Sequence, residues 1–447
     1  MKINQAIFKA YDIRGKYPGE INKNSAFQIG KGFASFLKVR KPEIVVGRDN
    51  RLSSLDLFSG ISKGVSSQGG RVINIGLSTT PMLYWACANF KHDGGIEITA
   101  SHNPPEYNGF KLVKRPALPI SEVSGLEEIK ILAGKNLKEK KGNFPLTKKE
   151  VLKEYSKFNF DKFPKENFRN LKIVIDTANG VSGLIIPEIS KKFPFKICHL
   201  FKKLDGSFPN HNPDPSKSEN LISLQKEVAK RKADLGVAFD GDGDRIAFVN
   251  ENGNIVPNDF ILALLAGYLL RENPKNKILY DLRSSNIVRE VISESGGTPV
   301  ISRIGHSFIK EKMRKENILF GGELSGHFYH KDYYFCEAPI FVLLKICEIL
   351  SNEKRKLSEI IFEFEKYCHS GEINFEIKDK EGKIREIKNR YQSGKIIEID
   401  GLRVDFEDWW FLVRPSNTEP LLRLILEAKT KELLEEKRKE LSDLIEN

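Results

Sequence analysis

Three times along this chain a short apolar run ends on a polar cluster. Ile44, Val45 and Val46 lead into Gly47, Arg48 and Asp49. Ile173, Val174 and Ile175 lead into Asp176, Thr177, Ala178, Asn179 and Gly180. Ile278, Leu279 and Tyr280 lead into Asp281, Leu282 and Arg283. Each run has the length of a buried strand, and a helical pattern follows each. This is the βα arrangement of an open α/β sheet, where ligands gather beyond the carboxyl ends of strands. A chain of 447 residues is too long for one core. The pattern therefore predicts three related α/β domains with mixed sheets. The C-terminal part differs. Residues 395–405 and 409–413 alternate like strands, and 430–445 reads as an amphipathic helix with Leu434, Leu441 and Ile445 on one face. A smaller α+β domain is expected there, with boundaries at 1–148, 149–253, 254–369 and 370–447.

Bulk properties exclude several classes. The chain is 40% hydrophobic and 30% charged, as ordinary soluble proteins are. No secretion signal is evident at the N-terminus. The longest apolar run, 260–270, is too short to span a bilayer and follows the helix-start residues Asn258 and Asp259, so it reads as a core helix. The five cysteines form no Cys-x-x-Cys pair, which argues against a disulfide framework or structural zinc and suits a reducing cytoplasm. The net charge of +12 invites nucleic acid, but the lysines are spread along the chain and no recognisable nucleic-acid motif accompanies them. Positive charge suits an anionic small substrate equally well.

The densest chemistry lies at Asp240, Gly241, Asp242, Gly243, Asp244 and Arg245, between the apolar runs 233–239 and 246–249. Three carboxylates at alternate positions, bent together by glycines, repel one another unless a cation joins them. Oxygen-only ligands favour a hard metal such as Mg²⁺. A helix-loop-helix Ca²⁺ loop also places an acid at its twelfth position, where Glu251 falls. It requires glycine at the sixth, where this chain has Arg245, and its flanks must be helical. That reading is excluded. Upstream, Thr99, Ala100, Ser101, His102, Asn103 and Pro104 place a possible nucleophile, Ser101, beside His102.

Residues 99–104 together with 240–245 closely resemble the α-D-phosphohexomutase superfamily, the phosphoglucomutase/phosphomannomutase enzymes. Other stretches match in order. Residues 8–15 look like the family's N-terminal signature, 322–327 its sugar-binding loop and 414–420 its phosphate-binding loop; 205–209 and the Asn-Pro-Asp-Pro segment ending at Pro215 also look familial. The resemblance implies four domains around a central cleft, each carrying one loop: phosphoserine, metal, sugar-binding and phosphate-binding in turn. It implies that Ser101 is the phosphoserine and completes Mg²⁺ coordination by Asp240, Asp242 and Asp244. By similarity Arg14, Lys111, His102 and Arg245 serve the reacting centre. Tyr11, Arg283, His306, Glu323, Ser325 and His327 would bind substrate, and Arg414, Ser416, Asn417, Thr418 and Arg423 would hold its distal phosphate.

The activity so implied interconverts hexose 1- and 6-phosphates through a hexose 1,6-bisphosphate, in a cytoplasmic monomer or homodimer whose partner is the phosphosugar rather than nucleic acid or membrane. Leu324, an apolar near-isostere of the methionine found in glucose/mannose enzymes, favours those sugars. Phosphoglucosamine mutase, a catalytically silent sugar-phosphate binder and a Mg²⁺-dependent phosphatase are the rivals. Cys336 and Glu337 depart from the acidic pair that many relatives carry.

Overall fold

The computed structural model describes residues 3–140, 145–415 and 421–446. They divide into two compact units. One is built from Met1–Asn258, Gly305–Phe320 and Ser325–Ser358, the other from Asp259–Ile304, Gly321–Leu324 and Glu359–Asn447.

The first unit holds two mixed sheets. In one, the strands run in spatial order Ile13–Lys16, Tyr107–Lys114, Gly94–Ile98, Glu43–Arg48, Arg71–Leu77 and Leu146–Lys148. Glu43–Arg48 is central and parallel to both neighbours. Its Ile44, Val45 and Val46 are fully buried, as a strand covered on both faces demands. Tyr107–Lys114 returns antiparallel to Gly94–Ile98, so the serine loop joins two adjacent strands.

In the second sheet Lys172–Asp176 lies between Lys196–Leu200 and Leu235–Phe239, parallel to both. Leu235–Phe239 then pairs antiparallel with Ile246–Asn250, and the register Phe239↔Ile246 leaves 240–245 as the connecting loop. Both strands of this hairpin are buried along their whole length. The Phe239↔Ile246 pairing thus sets where the acidic loop begins and ends.

The second unit contains the third βα centre, where Lys277–Asp281 pairs parallel with Thr298–Ser302 and the helix Asn286–Glu294 follows. The apolar run at 260–270 is a helix, and its bounds, Asn258–Glu272, reach beyond that run at both ends. The C-terminal sheet is wholly antiparallel among the described pairs. The strand-like stretch at 395–405 is two strands, Lys395–Ile397 and Leu402–Asp405. Gly401, in the left-handed region at φ +92°, sits in the turn between them. Helix Lys431–Glu446 packs Leu434, Leu441 and Ile445 on Leu422, Leu424 and Leu426 of that sheet. Among the described residues no helix is long and apolar enough to cross a membrane.

Candidate active site

The acidic loop folds around its own first residue. Asp240 Oδ1 accepts the backbone N–H groups of Asp244 (3.0 Å) and Arg245 (3.1 Å), which curls the loop back on itself. Gly243 has φ +68°, and a Cβ there would lie 2.2 Å from Ser182 Oγ, so only glycine fits. One carboxylate oxygen from each of Asp240, Asp242 and Asp244 lies within 4.8 Å of the others, and all three residues are buried.

The electrostatics of this triad are uneven. Burial, then Asp242 and Asp244, push the Asp240 carboxyl well above the usual range. Burial would raise Asp244 too, but Lys111 and His327 outweigh it and hold that carboxyl well below the usual range. Lys111 Nζ lies 2.6 Å from Asp242 Oδ2 and also contacts Asp244 Oδ2. Thr80 Oγ1 donates to Asp242 Oδ2 at 2.5 Å. Asp242 Oδ1 is buried without a hydrogen-bond donor among the described residues, and Asp244 Oδ1 has a polar neighbour in His327 Nε2, 3.4 Å off. A carboxylate oxygen is costly to bury unpartnered. A hard dication with oxygen ligands fits this donor set, because it would engage those atoms and neutralise the excess charge.

Ser101 reaches the triad from the neighbouring sheet. Its Oγ donates to Asp240 Oδ2 at 2.7 Å and lies 3.2 Å from His102 Nδ1. Ser101 is buried and left-handed, with φ +50°. A non-glycine residue in that region costs of order 1 kcal/mol and persists only where surroundings enforce it. Its N–H donates to Thr99 Oγ1 (2.8 Å) and its carbonyl accepts from Arg51 (2.8 Å). The His102 ring does turn toward Ser101. Burial first, then Arg245 and Arg14, lower its pKa well below the ordinary histidine value, so the ring is neutral.

The remaining sequence-predicted residues of this unit surround these groups. Arg14 donates to Asn103 Oδ1 (2.6 Å) and Asp12 Oδ2 (2.5 Å). The Arg245 guanidinium lies 3.6 Å from Asp214 Oδ1, and its backbone bridges His327. His327 Nε2 lies 3.4 Å from Asp244 Oδ1, and its Nδ1 is 2.8 Å from Ser325 Oγ. His306 stacks on His327 with ring centroids 6.2 Å apart and meets the Tyr11 ring edge-on at 5.8 Å. Burial, then Lys310 and Lys111, keep His306 neutral as well. Behind it, Lys310 Nζ bonds both oxygens of Glu337 at 2.8 and 3.0 Å, both residues being wholly buried. Glu337, one of the two departures noted in the sequence, thus has a partner that sequence alone did not reveal.

The second unit gathers cations. Arg414 and Arg423 face each other across two strands and share Glu372, at 3.4 and 3.1 Å. Arg414 is buried, and its pKa is lowered by burial first and then by Arg283. Arg283 itself is clamped by Asp281 at 2.6 Å. Glu323 is buried close enough to Arg283 to help raise its pKa against burial and after Asp281, and the N–H of Leu324 donates to Asp281 Oδ2 at 3.0 Å. Two guanidiniums on one carboxylate leave net positive charge suited to a phosphate. Ser416, Asn417 and Thr418 lie outside the described residues.

Sequence reading missed Arg51 and Glu372, and it named the Asn-Pro-Asp-Pro segment without giving Asp214 a role. Arg51 had a signal, since it follows Asp49 by two residues at the end of a recognised strand. Asp214 and Glu372 reach their arginines only through tertiary packing.

Comparison with known proteins places these residues in context. The four family models for phosphoglucomutase/phosphomannomutase match the chain in order: alpha/beta/alpha domain I at 5–138, domain II at 149–253, domain III at 257–367 and the C-terminal domain at 372–444. A phosphomannomutase of Methanocaldococcus jannaschii is 40% identical over 443 residues, covering 98% of this chain and 97% of its own. A phosphomannomutase of Vibrio cholerae is 40% identical over 455 residues, covering 98% of each. The solved structure of a phosphoglucomutase/phosphomannomutase family protein from Burkholderia thailandensis superposes with a TM-score of 0.90 at 32% identity, covering 99% of this chain and 97% of that one.

Proposed function

This chain belongs to the phosphoglucomutase/phosphomannomutase family, enzymes that move a phosphoryl group within a hexose phosphate, and we propose that it does so through a phosphorylated Ser101. The observation that carries the reading is the 2.7 Å hydrogen bond from Ser101 Oγ to Asp240, one of three converged buried carboxylates. A nucleophile held against a metal-type acidic site is what phosphoryl transfer needs and what a mere binder does not.

In the first half-reaction the bond between Ser101 Oγ and phosphorus breaks as the free hydroxyl of a hexose 1- or 6-phosphate bonds to phosphorus. The product is a hexose 1,6-bisphosphate. A base at the reacting centre takes the hydroxyl proton, and the departing Ser101 Oγ is protonated in turn; His102, whose Nδ1 lies 3.2 Å from that oxygen, and His306 are the candidates by position. The freed Ser101 Oγ meets Asp240 Oδ2 and His102 Nδ1, which fix its direction for the return step. The bisphosphate then turns over, and its other phosphate is returned to Ser101. Arg14, Lys111 and Arg245 stabilise the negative charge spread over the transferring oxygens. Mg²⁺, held by Asp240, Asp242, Asp244 and an oxygen on Ser101, would act as a Lewis acid on the same charge.

Substrate recognition is assigned to Tyr11, His306, Ser325 and His327 of the first unit and to Arg283, Glu323, Arg414 and Arg423 of the second. Ser416, Asn417 and Thr418 complete the phosphate group of ligands in this proposal. Leu324 favours glucose and mannose over glucosamine phosphates.

The test is turnover of glucose, mannose and glucosamine phosphates with added hexose 1,6-bisphosphate, alongside intact-mass measurement. One phosphoryl group mapping to Ser101, with mutase turnover on glucose or mannose phosphate, supports the scheme. Net phosphate release, or sugar binding without turnover, would replace it by a phosphatase or a silent binder. Preference for glucosamine phosphate would overturn the substrate assignment alone.

A further inference from the structure

Arg51 was not singled out by its sequence position, yet its guanidinium is the hub of the serine loop. It is buried, pairs through Nε with Asp49 Oδ2 at 3.1 Å, and donates to four backbone carbonyls. Nη1 reaches Pro104 (2.6 Å) and Tyr107 (3.0 Å), and Nη2 reaches Ser101 (2.8 Å) and Asn103 (2.6 Å). A planar fork with five donors can do this; an ammonium cannot. Asp49 is locked in turn, accepting from Ser54 Oγ at 2.6 Å and from the Arg51 N–H at 3.0 Å.

The 205–215 stretch, which no step of the mechanism uses, closes on the same hub. Phe208 lies under the guanidinium at 4.9 Å. Gly206 abuts the preceding backbone so closely that a Cβ would fall 2.2 Å from the Asn50 carbonyl oxygen. Asn50 Nδ2 donates to the carbonyl of Asn179 at 2.8 Å, tying this corner to the end of the Lys172–Asp176 strand. At its far end the stretch meets the acidic loop. Pro213 packs where a Cβ on Gly241 would lie, 3.2 Å away, and Asp214 faces Arg245.

We propose that Arg51 and the 205–215 stretch form one positioning strut, which holds Ser101 in its left-handed conformation and in register with the acidic loop. The proposal deepens the mutase reading and rests on it for its catalytic consequence, though not for its structural one. Arg51 touches no reacting atom. It acts through the carbonyls of the loop that carries Ser101, and a displacement of the nucleophile by about 1 Å can cost about 10²-fold in rate.

The experiment compares wild type with Arg51→Lys and Phe208→Leu. Hydrogen–deuterium exchange is read over 99–109, and kcat and KM are measured with a hexose phosphate and bisphosphate. Arg51→Lys is expected to speed exchange in 99–109 selectively, and to lower kcat about 10²-fold with KM within about twofold. Phe208→Leu, which leaves the Asp49–Arg51 pair intact, should give the same pattern more weakly and keeps the test usable if Arg51→Lys does not fold. Unchanged exchange in 99–109 in a folded variant overturns the strut. So does exchange that rises evenly throughout the chain. Wild type without mutase turnover would sink the functional reading instead, and exchange would still decide the strut.

Discussion

Lys111 Nζ lies 2.6 Å from Asp242 Oδ2 and bridges to Asp244, so this lysine neutralises part of the acidic triad from within the protein. Burial alone would lower the Lys111 pKa, but Asp242 and Asp244 outweigh it and raise it. Lys111→Met removes that cation and leaves buried carboxylates uncompensated, at a cost of about 3 kcal/mol to the metal-free protein. Chemical denaturation should show this loss. Added Mg²⁺ should restore more stability to the variant than it adds to wild type. An equal Mg²⁺ effect on both would refute the shared role.

Ser101→Ala should abolish mutase turnover, by about 10³-fold or more, while substrate affinity measured by calorimetry stays close to wild type. Near-full turnover in that variant is incompatible with a phosphoserine route.

If a phosphoryl oxygen on Ser101 completes the metal's coordination, Mg²⁺ should bind the phosphorylated protein more tightly than the dephosphorylated one. Titration calorimetry on the two forms, verified by intact mass, provides the comparison. Equal affinities would remove Ser101 from the ligand set.

The Lys310–Glu337 pair is wholly buried, and Lys310 Nζ also sits 4.4 Å from the centre of the Tyr84 ring. Losing one partner strands the other. Lys310→Met should cost about 3 kcal/mol, and the double variant with Glu337→Met should recover most of it. Additive losses in a double-mutant cycle would show that the pair is not coupled.

His330 is buried against Phe341, with ring centroids 4.6 Å apart, and burial lowers its pKa from the ordinary 6.5 to about 4. The folded state therefore binds this proton less readily than the unfolded chain. Its stabilising effect is present above the unfolded value and is lost as pH falls through the folded one. Between about pH 6.5 and 5, wild type should lose on the order of 1–2 kcal/mol through this residue. His330→Asn should flatten that part of the stability–pH curve; an unchanged slope would contradict the assignment.

Much of this was legible in the chain because strand burial leaves a strong local signature. The apolar runs ending at Asp49, Asp176 and Asp281 mark three βα centres, and alternate aspartates between two such runs mark a loop that must converge. The paired faces of Leu434, Leu441 and Ile445 could likewise be read by period alone. What was not legible depends on long-range packing. Nothing in the spacing of Arg245 and Asp214, or of Lys310 and Glu337, foretells that they meet. The turn at Gly401 that divides 395–405 was hidden because both halves share the same alternation. Arg51 went unread for a different reason: its partners are mainly carbonyl oxygens, which every sequence supplies at every position.

Each unit is assembled from three separated stretches of chain, and His306 and Lys310 enter the first unit only with Gly305–Phe320. During synthesis the first unit is therefore incomplete until residues beyond 320 have emerged, long after Asp240 and Ser101 are available. A ribosome-bound fragment ending at 258 would carry the whole acidic loop yet lack the histidine that stacks beside His327, and lack His327 itself. The acidic loop and the histidines that lie beside it therefore become available at different times during synthesis.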